Sequence, residues 1–258
     1  MKLKHAFAGF AAIVFLASAG PAVSGEMPKI KETVAPTTAL FLGNSFIYYN
    51  NSLHNHFRNL TKSMFTENAK KYFFKSMTIS GSYLKDHAMS AENMIKKYTH
   101  KKKKGPWDLV ILQGQSREPI NKKKMKSFME SAKKLDKLVR DAGSKTVLFM
   151  TWAYKEKPEM GPALRDAYTK AGNELNALVV PVGFAFDIAR AKDPKAGLWA
   201  KDKKHPSVLG TYLAANVFFA TFYGKSPEGA TYTAGLSPEQ VKFAQSTAWS
   251  AVQQYFGK

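Results

Sequence analysis

The sequence of 258 residues contains no cysteine, and acidic residues are about half as frequent as basic ones. Without cysteine there can be no disulfide scaffold, no thiolate metal site, no iron–sulfur cluster and no thiol nucleophile, so any nucleophile must be oxygen or nitrogen. The 19 acidic and 39 basic side chains give a formal charge of +20. A disordered chain is not expected, because 45% of the residues are hydrophobic, including 18 Phe and 11 Tyr.

Long apolar runs are also missing beyond the N-terminus. Residues 1–5 include two lysines, residues 6–20 form an uncharged apolar run, and small residues follow it. This arrangement is typical of a secretory signal peptide, and the run is shorter than the roughly 20 residues that span a bilayer. We therefore expect a signal peptide over residues 1–25, a soluble mature domain over residues 26–258, and a secreted or periplasmic location.

Lysine clusters carry much of the positive charge. They lie at residues 101–104, 122–124, 133–134 and 201–204. Lysine side chains are flexible and strongly hydrated, so such clusters usually form a solvent-exposed face without a binding role. The alternative interpretation is that they attract an anionic polymer or a membrane surface in a salt-sensitive way. Nucleic acid is not expected as a partner, because the predicted signal peptide directs the chain to export and no recognition motif accompanies the charge.

Short apolar runs alternate with longer amphipathic stretches, which predicts strand–helix repetition around a parallel sheet. The candidate strands are residues 39–43, 72–80, 107–113, 146–151 and 178–182. Apolar residues at helical spacing predict helices near residues 53–64 and 128–139, and the capping residues Ser207 and Ser237 predict two more. The sequence therefore predicts a single three-layer α/β/α domain with a mainly parallel five-stranded sheet, of the flavodoxin-like type.

Ligands of open parallel sheets bind beyond the carboxyl ends of the strands. Ser45 lies on the turn after the first predicted strand, where a nucleophile is well placed, although Asn44 and Ser45 could instead stabilise the turn. A serine hydroxyl needs a base, and the late loop that contains Asp202 and His205 can supply one. The alternative for His205 is a surface histidine among lysines. If Asp202 holds one ring nitrogen, the other is free for Ser45, which predicts a Ser-His-Asp catalytic triad.

These motifs together resemble the SGNH, or GDSL-type, hydrolases. The resemblance includes the Gly-Asn-Ser turn at Ser45, a glycine loop at Gly81 after the second strand, and the late Asp-x-x-His that ends at His205. It covers residues 41–207 and implies that the N–H groups of Ser45 and Gly81 bind an oxyanion. The α/β-hydrolase fold is not expected, because its Gly-x-Ser-x-Gly elbow is absent.

The segment after the third strand departs from the usual Gly-x-Asn-Asp of this family. Here it is Leu-Gln-Gly-Gln-Ser, which is similar to the His-Gln-Gly-Glu variant of sialic-acid and carbohydrate acetylesterases. The resemblance implies that a glutamine replaces the asparagine as the third oxyanion donor. Gln113 is the first candidate, and Gln115 is the alternative.

The predicted function is an exported serine esterase that cleaves O-acyl esters, especially acetyl esters of carbohydrate, without a cofactor. Asn44 and Trp152 are expected to contact substrate, because both follow predicted strands and an indole ring can stack on a sugar. A metal site is not expected, since His54 and His56 lack the i, i+4 spacing of helical ligands. The alternatives are a non-catalytic binder of anionic polysaccharide and an O-acetyltransferase that uses the same serine and histidine.

Overall fold

The computed structural model describes residues 25–100 and 103–258. The predicted signal peptide, apart from Gly25, and two lysines of the first cluster therefore lie outside the described residues. Seven strands are β1 Thr38–Gly43, β2 Phe73–Thr78, β3 Tyr98–His100, β4 Lys103–Gly105, β5 Leu109–Leu112, β6 Lys145–Phe149 and β7 Leu178–Val180. β3 and β4 form an antiparallel hairpin, which the sequence analysis did not predict.

The other five strands form one parallel sheet in the order β2-β1-β5-β6-β7, which confirms the predicted fold class. Each of these strands overlaps a predicted one. All six residues of β1 are buried, as expected for a central strand covered on both faces. β1 pairs with β2 on one side and β5 on the other, so the strand order reverses at β1. Folds of this class bind ligands in the crevice at such a reversal, between the carboxyl ends of β1 and β5.

The helices form the two outer layers. They are α1 Ser45–Tyr48, α2 Leu53–Met64, α3 Leu84–Ser90, α4 Glu92–Lys96, α5 Met125–Asp141, α6 Met160–Leu175, α7 Val182–Lys192, α8 Val208–Tyr223 and α9 Pro238–Phe256. The helices α2, α7, α8 and α9 pack together, and α3 and α4 pack on α5, which in turn contacts α6. Right-handed crossovers in the two directions along the sheet account for this division between its faces.

Both predicted C-terminal helix starts are confirmed. The hydroxyl of Ser207 accepts the N–H of Gly210 at 3.1 Å, and Ser237 and Gln240 form a capping box at the start of α9. α8 is apolar around its whole circumference and almost all of its residues are buried, as expected for a helix enclosed by other helices. Within the described part of the chain, no helix has both the length and the apolarity to cross a membrane.

Candidate active site

The turn that presents Ser45 is fixed by the strand beside it. β1 ends at Gly43, and the short helix α1 begins at Ser45. The buried amide oxygen of Gln113, just after β5, accepts the N–H of Asn44 at 2.9 Å. A Cβ on Gly43 would lie 2.3 Å from that same oxygen, so only glycine allows the close approach of the two strand ends.

Asn44 caps this turn and is buried. Its Oδ1 accepts the N–H of Phe46 at 3.1 Å, and its Nδ2 donates to the carbonyl of Ser82 at 3.0 Å. Both ends of the amide are therefore occupied by the protein. The structure thus gives Asn44 a turn-stabilising position and does not support the expectation that its side chain contacts substrate.

Three distant segments meet in a chain of hydrogen bonds at the carboxyl end of the sheet. Nε2 of His205 lies 2.8 Å from the hydroxyl of Ser45, and Nδ1 is hydrogen-bonded to the carboxylate of Asp202. Because an ionised carboxylate only accepts, it favours the tautomer with the proton on Nδ1, which leaves Nε2 as an acceptor for the Ser45 hydroxyl. The structure therefore brings together the three side chains that the sequence analysis selected; their catalytic roles remain a prediction.

Asp202 is held in its ionised form. Partial burial raises its pKa, but hydrogen bonds from the His205 ring and from the N–H groups of Lys204 and His205 outweigh this and lower the pKa to about 2. The carboxylate is thus charged over the whole range in which a neutral histidine can act as a base. A fixed negative charge at this position stabilises an imidazolium on His205.

Aromatic rings hold the imidazole of His205 in place. Tyr49 stacks on it with ring centroids 4.1 Å apart and planes 1° apart, and Phe46 meets it edge-on. The loop itself is fastened at two points. Asn50 donates to the carbonyl of Pro206 at 2.9 Å, and the indole N–H of Trp152 donates to the carbonyl of Lys204 at 3.0 Å.

Three N–H donors near Ser45 have no partner among the residues that the structure describes. They are the backbone N–H groups of Ser45 and Gly81 and the side-chain Nε2 of Gln115. All three residues line the same cavity as the Ser45 hydroxyl and the His205 ring. Stabilisation of an oxyanion requires N–H donors of this kind that are not already used.

The two candidate glutamines differ in position. Gln113 is buried, its amide oxygen accepts the N–H of Asn44, and its Nε2 donates to the carbonyl of Gly114. It does not line the cavity, so its place is beneath the turn. Gln115 lines the cavity, and its oxygen accepts the N–H of Arg117 at 3.0 Å, which directs the amide. The structure therefore favours the alternative, Gln115, over the first candidate, Gln113.

A buried carboxylate connects the two donor loops. Oε2 of Glu118 accepts the N–H of Gln115 at 2.9 Å and the N–H of Leu84, the first residue of α3, at 3.2 Å. Its Oε1 is buried without a hydrogen-bond partner among the described residues. Burial raises the pKa of Glu118, although the hydrogen bonds from the Gln115 and Leu84 backbone lower it. Glu118 thus ties the loop after β5 to the segment that carries Gly81.

The cavity beside Ser45 has a volume of about 250 Å³. It is lined by Asn44, Ser45, Phe46, Gly81, Gln115, Ser116, Tyr154, Lys204 and His205. Trp152 is not among them, because it is only 1% exposed and its ring is stacked between Phe46 and Phe186. The structure therefore places Trp152 in the core beside the cavity and does not support the expectation that it contacts substrate. Two other aromatic side chains, Phe46 and Tyr154, line the cavity, and the hydroxyl of Tyr154 is hydrogen-bonded to Ser116 at 2.7 Å.

Several residues that support the site were missed in the sequence. Asn50, Asn51 and Ser52 have consecutive positive φ angles of 52°, 66° and 68°, and this left-handed segment directs Asn50 to the His205 loop. The carbonyl of Asn50 accepts from Nε2 of His56, whose pKa is lowered by burial. The Asn-Asn pair was the available signal, because asparagine tolerates left-handed backbone better than most residues. Glu118 gave none, since its importance depends on burial.

No protein-family model matches the sequence, and no curated protein matches it. Solved structures do match. A DUF4886 family protein from Bacteroides uniformis has a TM-score of 0.63 at 20% identity, over 84% of this chain and 94% of that one. A candidate SGNH hydrolase from Slackia heliotrinireducens has a TM-score of 0.55 at 21% identity, over 72% and 98%. The acetyl xylan esterase AlAXEase has a TM-score of 0.57 at 12% identity, over 71% and 98%.

At these identities the likeness concerns the fold. The chain matches these structures in fold, and one of them is by its name an acetyl xylan esterase. The resemblance predicted from the motifs is thereby confirmed at the level of architecture. The chain has the fold of the SGNH hydrolases.

Proposed function

We propose that the protein is an exported serine esterase that removes short acyl groups, above all acetyl, from carbohydrate. The observation on which the proposal rests is the hydrogen-bonded chain from Ser45 through His205 to Asp202. These hydrogen bonds lie at the crevice where folds of this class bind ligands, beside three N–H donors that have no partner among the described residues.

In the proposed reaction, Oγ of Ser45 attacks the ester carbonyl carbon while Nε2 of His205 takes the hydroxyl proton. The same nitrogen then protonates the departing alcohol, which leaves an acyl group on Ser45. Water, deprotonated by His205, hydrolyses this acyl-enzyme and regenerates the serine. General acid–base catalysis of this kind contributes about 10²- to 10⁴-fold to the rate.

The oxyanion of each tetrahedral intermediate would be bound by the N–H groups of Ser45 and Gly81 and by Nε2 of Gln115. Loss of one such donor costs about 3 kcal/mol of transition-state stabilisation in well-ordered sites. Among the described residues none of these three groups has another acceptor, so binding the negative charge would break no hydrogen bond of the protein.

The size and lining of the cavity support a short acyl group. A volume of about 250 Å³ accommodates an acetyl group and part of an alcohol, and its walls are polar and aromatic rather than aliphatic. The fold is also that of an acetyl xylan esterase, by the name of that neighbour. Export is supported by the signal-like sequence of residues 1–25.

The test is hydrolysis of p-nitrophenyl acetate and of an acetylated oligosaccharide by the wild type and by Ser45→Ala. We expect Ser45→Ala to lower kcat by at least about 10³-fold, because it removes the nucleophile. Ser80→Ala is the matched control. Ser80 lies near the site, and among the described residues its hydroxyl is hydrogen-bonded only to the Tyr48 hydroxyl, so Ser80→Ala should leave the rate unchanged.

If Ser45→Ala hydrolyses these substrates at the wild-type rate, the assignment of Ser45 as the nucleophile is contradicted. If the wild type hydrolyses neither substrate but binds the oligosaccharide, the protein is a binder rather than an esterase. An acetyl group that passes to an added sugar faster than to water would identify a transferase. A strong preference for octanoate over acetate esters would contradict the short-acyl part of the proposal.

A further inference from the structure

Two cationic side chains lie near the ring of Tyr154, one of the aromatic residues that line the cavity beside Ser45. Nζ of Lys204 lies 5.7 Å from the centroid of this ring, and Cζ of Arg117 lies 6.0 Å from it. Lys204 also lines the cavity directly, together with Ser45 and His205. The side chains of both cations are otherwise exposed to solvent.

The backbones of Lys204 and Arg117 are hydrogen-bonded to residues of the candidate site or to residues that support it. The N–H of Lys204 donates to Asp202 at 2.9 Å, and its carbonyl accepts the Trp152 indole N–H at 3.0 Å. The N–H of Arg117 donates to the side-chain oxygen of Gln115 at 3.0 Å. Lys204 is therefore held in the loop that contains His205, and Arg117 is held next to the proposed oxyanion donor Gln115.

Neither cation is neutralised. Among the residues that the structure describes, no carboxylate lies within 4 Å of Lys204 or Arg117. Their neighbour Lys203 differs, because it forms an ion pair with Glu156. Tyr154 orients the two charges but does not cancel them, and its own position is set by bonds to Ser116 and Arg190.

We propose that Lys204 and Arg117 bind an oxyanion of the substrate, a carboxylate or a phosphate, beside the ester that is cleaved. If the esterase function proposed above is correct, the substrate is then an acyl ester of an anionic carbohydrate. The ammonium of Lys204 contributes a point charge, and the guanidinium of Arg117 can donate two parallel hydrogen bonds. The excess of basic residues over the whole chain would attract such a substrate from solution.

The experiment uses one pair of substrates that differ only in charge. Oligogalacturonides that carry O-acetyl groups are compared before and after methyl esterification of their carboxylates, and released acetate is measured at low salt. We expect the wild type to prefer the charged form by about tenfold in kcat/KM, mainly through KM, since two weak ion pairs of the usual strength multiply to this value. The preference should shrink in about 0.5 M salt, where screening is strong.

The double variant Lys204→Met/Arg117→Gln should lose the preference. Lys203→Met removes one positive charge from the same loop but one that Glu156 already neutralises, so it should keep the preference. Equal rates on the two forms with the wild type would overturn the proposal, as would a preference that survives in the double variant.

Binding separates this inference from the esterase function. In Ser45→Ala, calorimetry should show tighter binding of the charged oligomer, and the added double substitution should abolish the difference. If the wild type releases no acetate while this binding pattern is found, the esterase proposal fails and the anion site stands. Galacturonate and glycerol 2-phosphate, as competing ligands in the same titration, distinguish carboxylate from phosphate; competition no stronger than by neutral methyl galactoside contradicts the site.

Discussion

The two glutamines after β5 show how neighbouring side chains of one type take different positions. Gln113 directly follows β5, its N–H donates to the carbonyl of Leu42, and its buried side chain accepts the N–H of Asn44. Two residues later the chain has left the sheet, and Gln115 faces the cavity with a free Nε2. Gln113 thus fixes the backbone of the turn before Ser45, whereas Gln115 is accessible from the cavity.

This difference predicts opposite consequences of two alanine substitutions. Gln115→Ala should lower kcat by about 10²-fold with an unchanged melting temperature, because it removes the side chain that we propose as one of the oxyanion donors. Gln113→Ala should lower the free energy of unfolding by about 1–3 kcal/mol, because the buried N–H of Asn44 loses its acceptor. Steady-state kinetics and thermal unfolding of both variants measure this.

The assignment would be contradicted by a Gln115→Ala protein with wild-type kcat. It would also be contradicted if Gln113→Ala lost kcat without any loss of stability.

At the residue scale, the sequence was sufficient to predict that Ser45, His205, Asp202 and Gly81 lie together, because each belongs to a short motif with a chemical reason for its spacing. It was insufficient for Trp152, and it did not show that the amide of Asn44 is occupied by Phe46 and Ser82. Whether a polar or aromatic side chain after a strand faces a crevice or the core depends on which neighbours enclose it. Trp152 is enclosed by Phe46 and Phe186, which are distant in sequence.

Among the structural elements, the loops after β2 and β5 are coupled by Glu118. One oxygen of this buried carboxyl group accepts an N–H from each loop, so the positions of Gly81 and Gln115 depend on a common acceptor. Because burial disfavours the charged form, the ionised state of Glu118 is a cost to the folded protein.

A pH-dependent stability difference follows for Glu118→Gln. The folded-state pKa of Glu118 is raised above its ordinary value of 4.5, so the wild type loses stability as the pH rises from about 4.5 through the raised value. Glutamine keeps an oxygen for both N–H groups but cannot ionise. The melting temperature of Glu118→Gln should therefore improve relative to the wild type between pH 4.5 and pH 8.

If the difference in melting temperature between Glu118→Gln and the wild type stays constant over this pH range, the conclusion that Glu118 is buried and ionises with a raised pKa is contradicted. Glu118→Ala provides the comparison in which both N–H groups lose their acceptor. It should be less stable at every pH and should also have a lower kcat, since the donor loops lose their shared acceptor.

The elements themselves were largely predictable. The five sheet strands and the helices α2, α5, α8 and α9 follow from apolar spacing and capping residues, which are local signals. The hairpin of β3 and β4 and the left-handed segment at residues 50–52 were not predicted, because their conformation depends on contacts with other parts of the chain. The sequence therefore does not predict segments whose backbone conformation depends on tertiary contacts.

On the scale of the whole molecule, the reversal of strand order at β1 assembles the site. β1 lies between β2 and β5, so the segments after these three strands meet at one edge, and they supply Ser45, Gly81 and Gln115. The loop before α8 adds His205 and Asp202 from late in the chain. Residues that are up to 160 positions apart thus form one site. Short sequence motifs could indicate which residues belong to this site, but they could not give the relative positions of those residues.

The most direct test of the central claim, that Ser45 is a nucleophile activated by His205, is covalent labelling with a fluorophosphonate followed by peptide mass mapping. We predict a single adduct on the peptide that contains Ser45, no adduct in Ser45→Ala, and an undiminished adduct in Ser80→Ala. A wild-type protein that stays unlabelled, or one whose adduct lies on another residue while Ser45 is unmodified, would contradict the account.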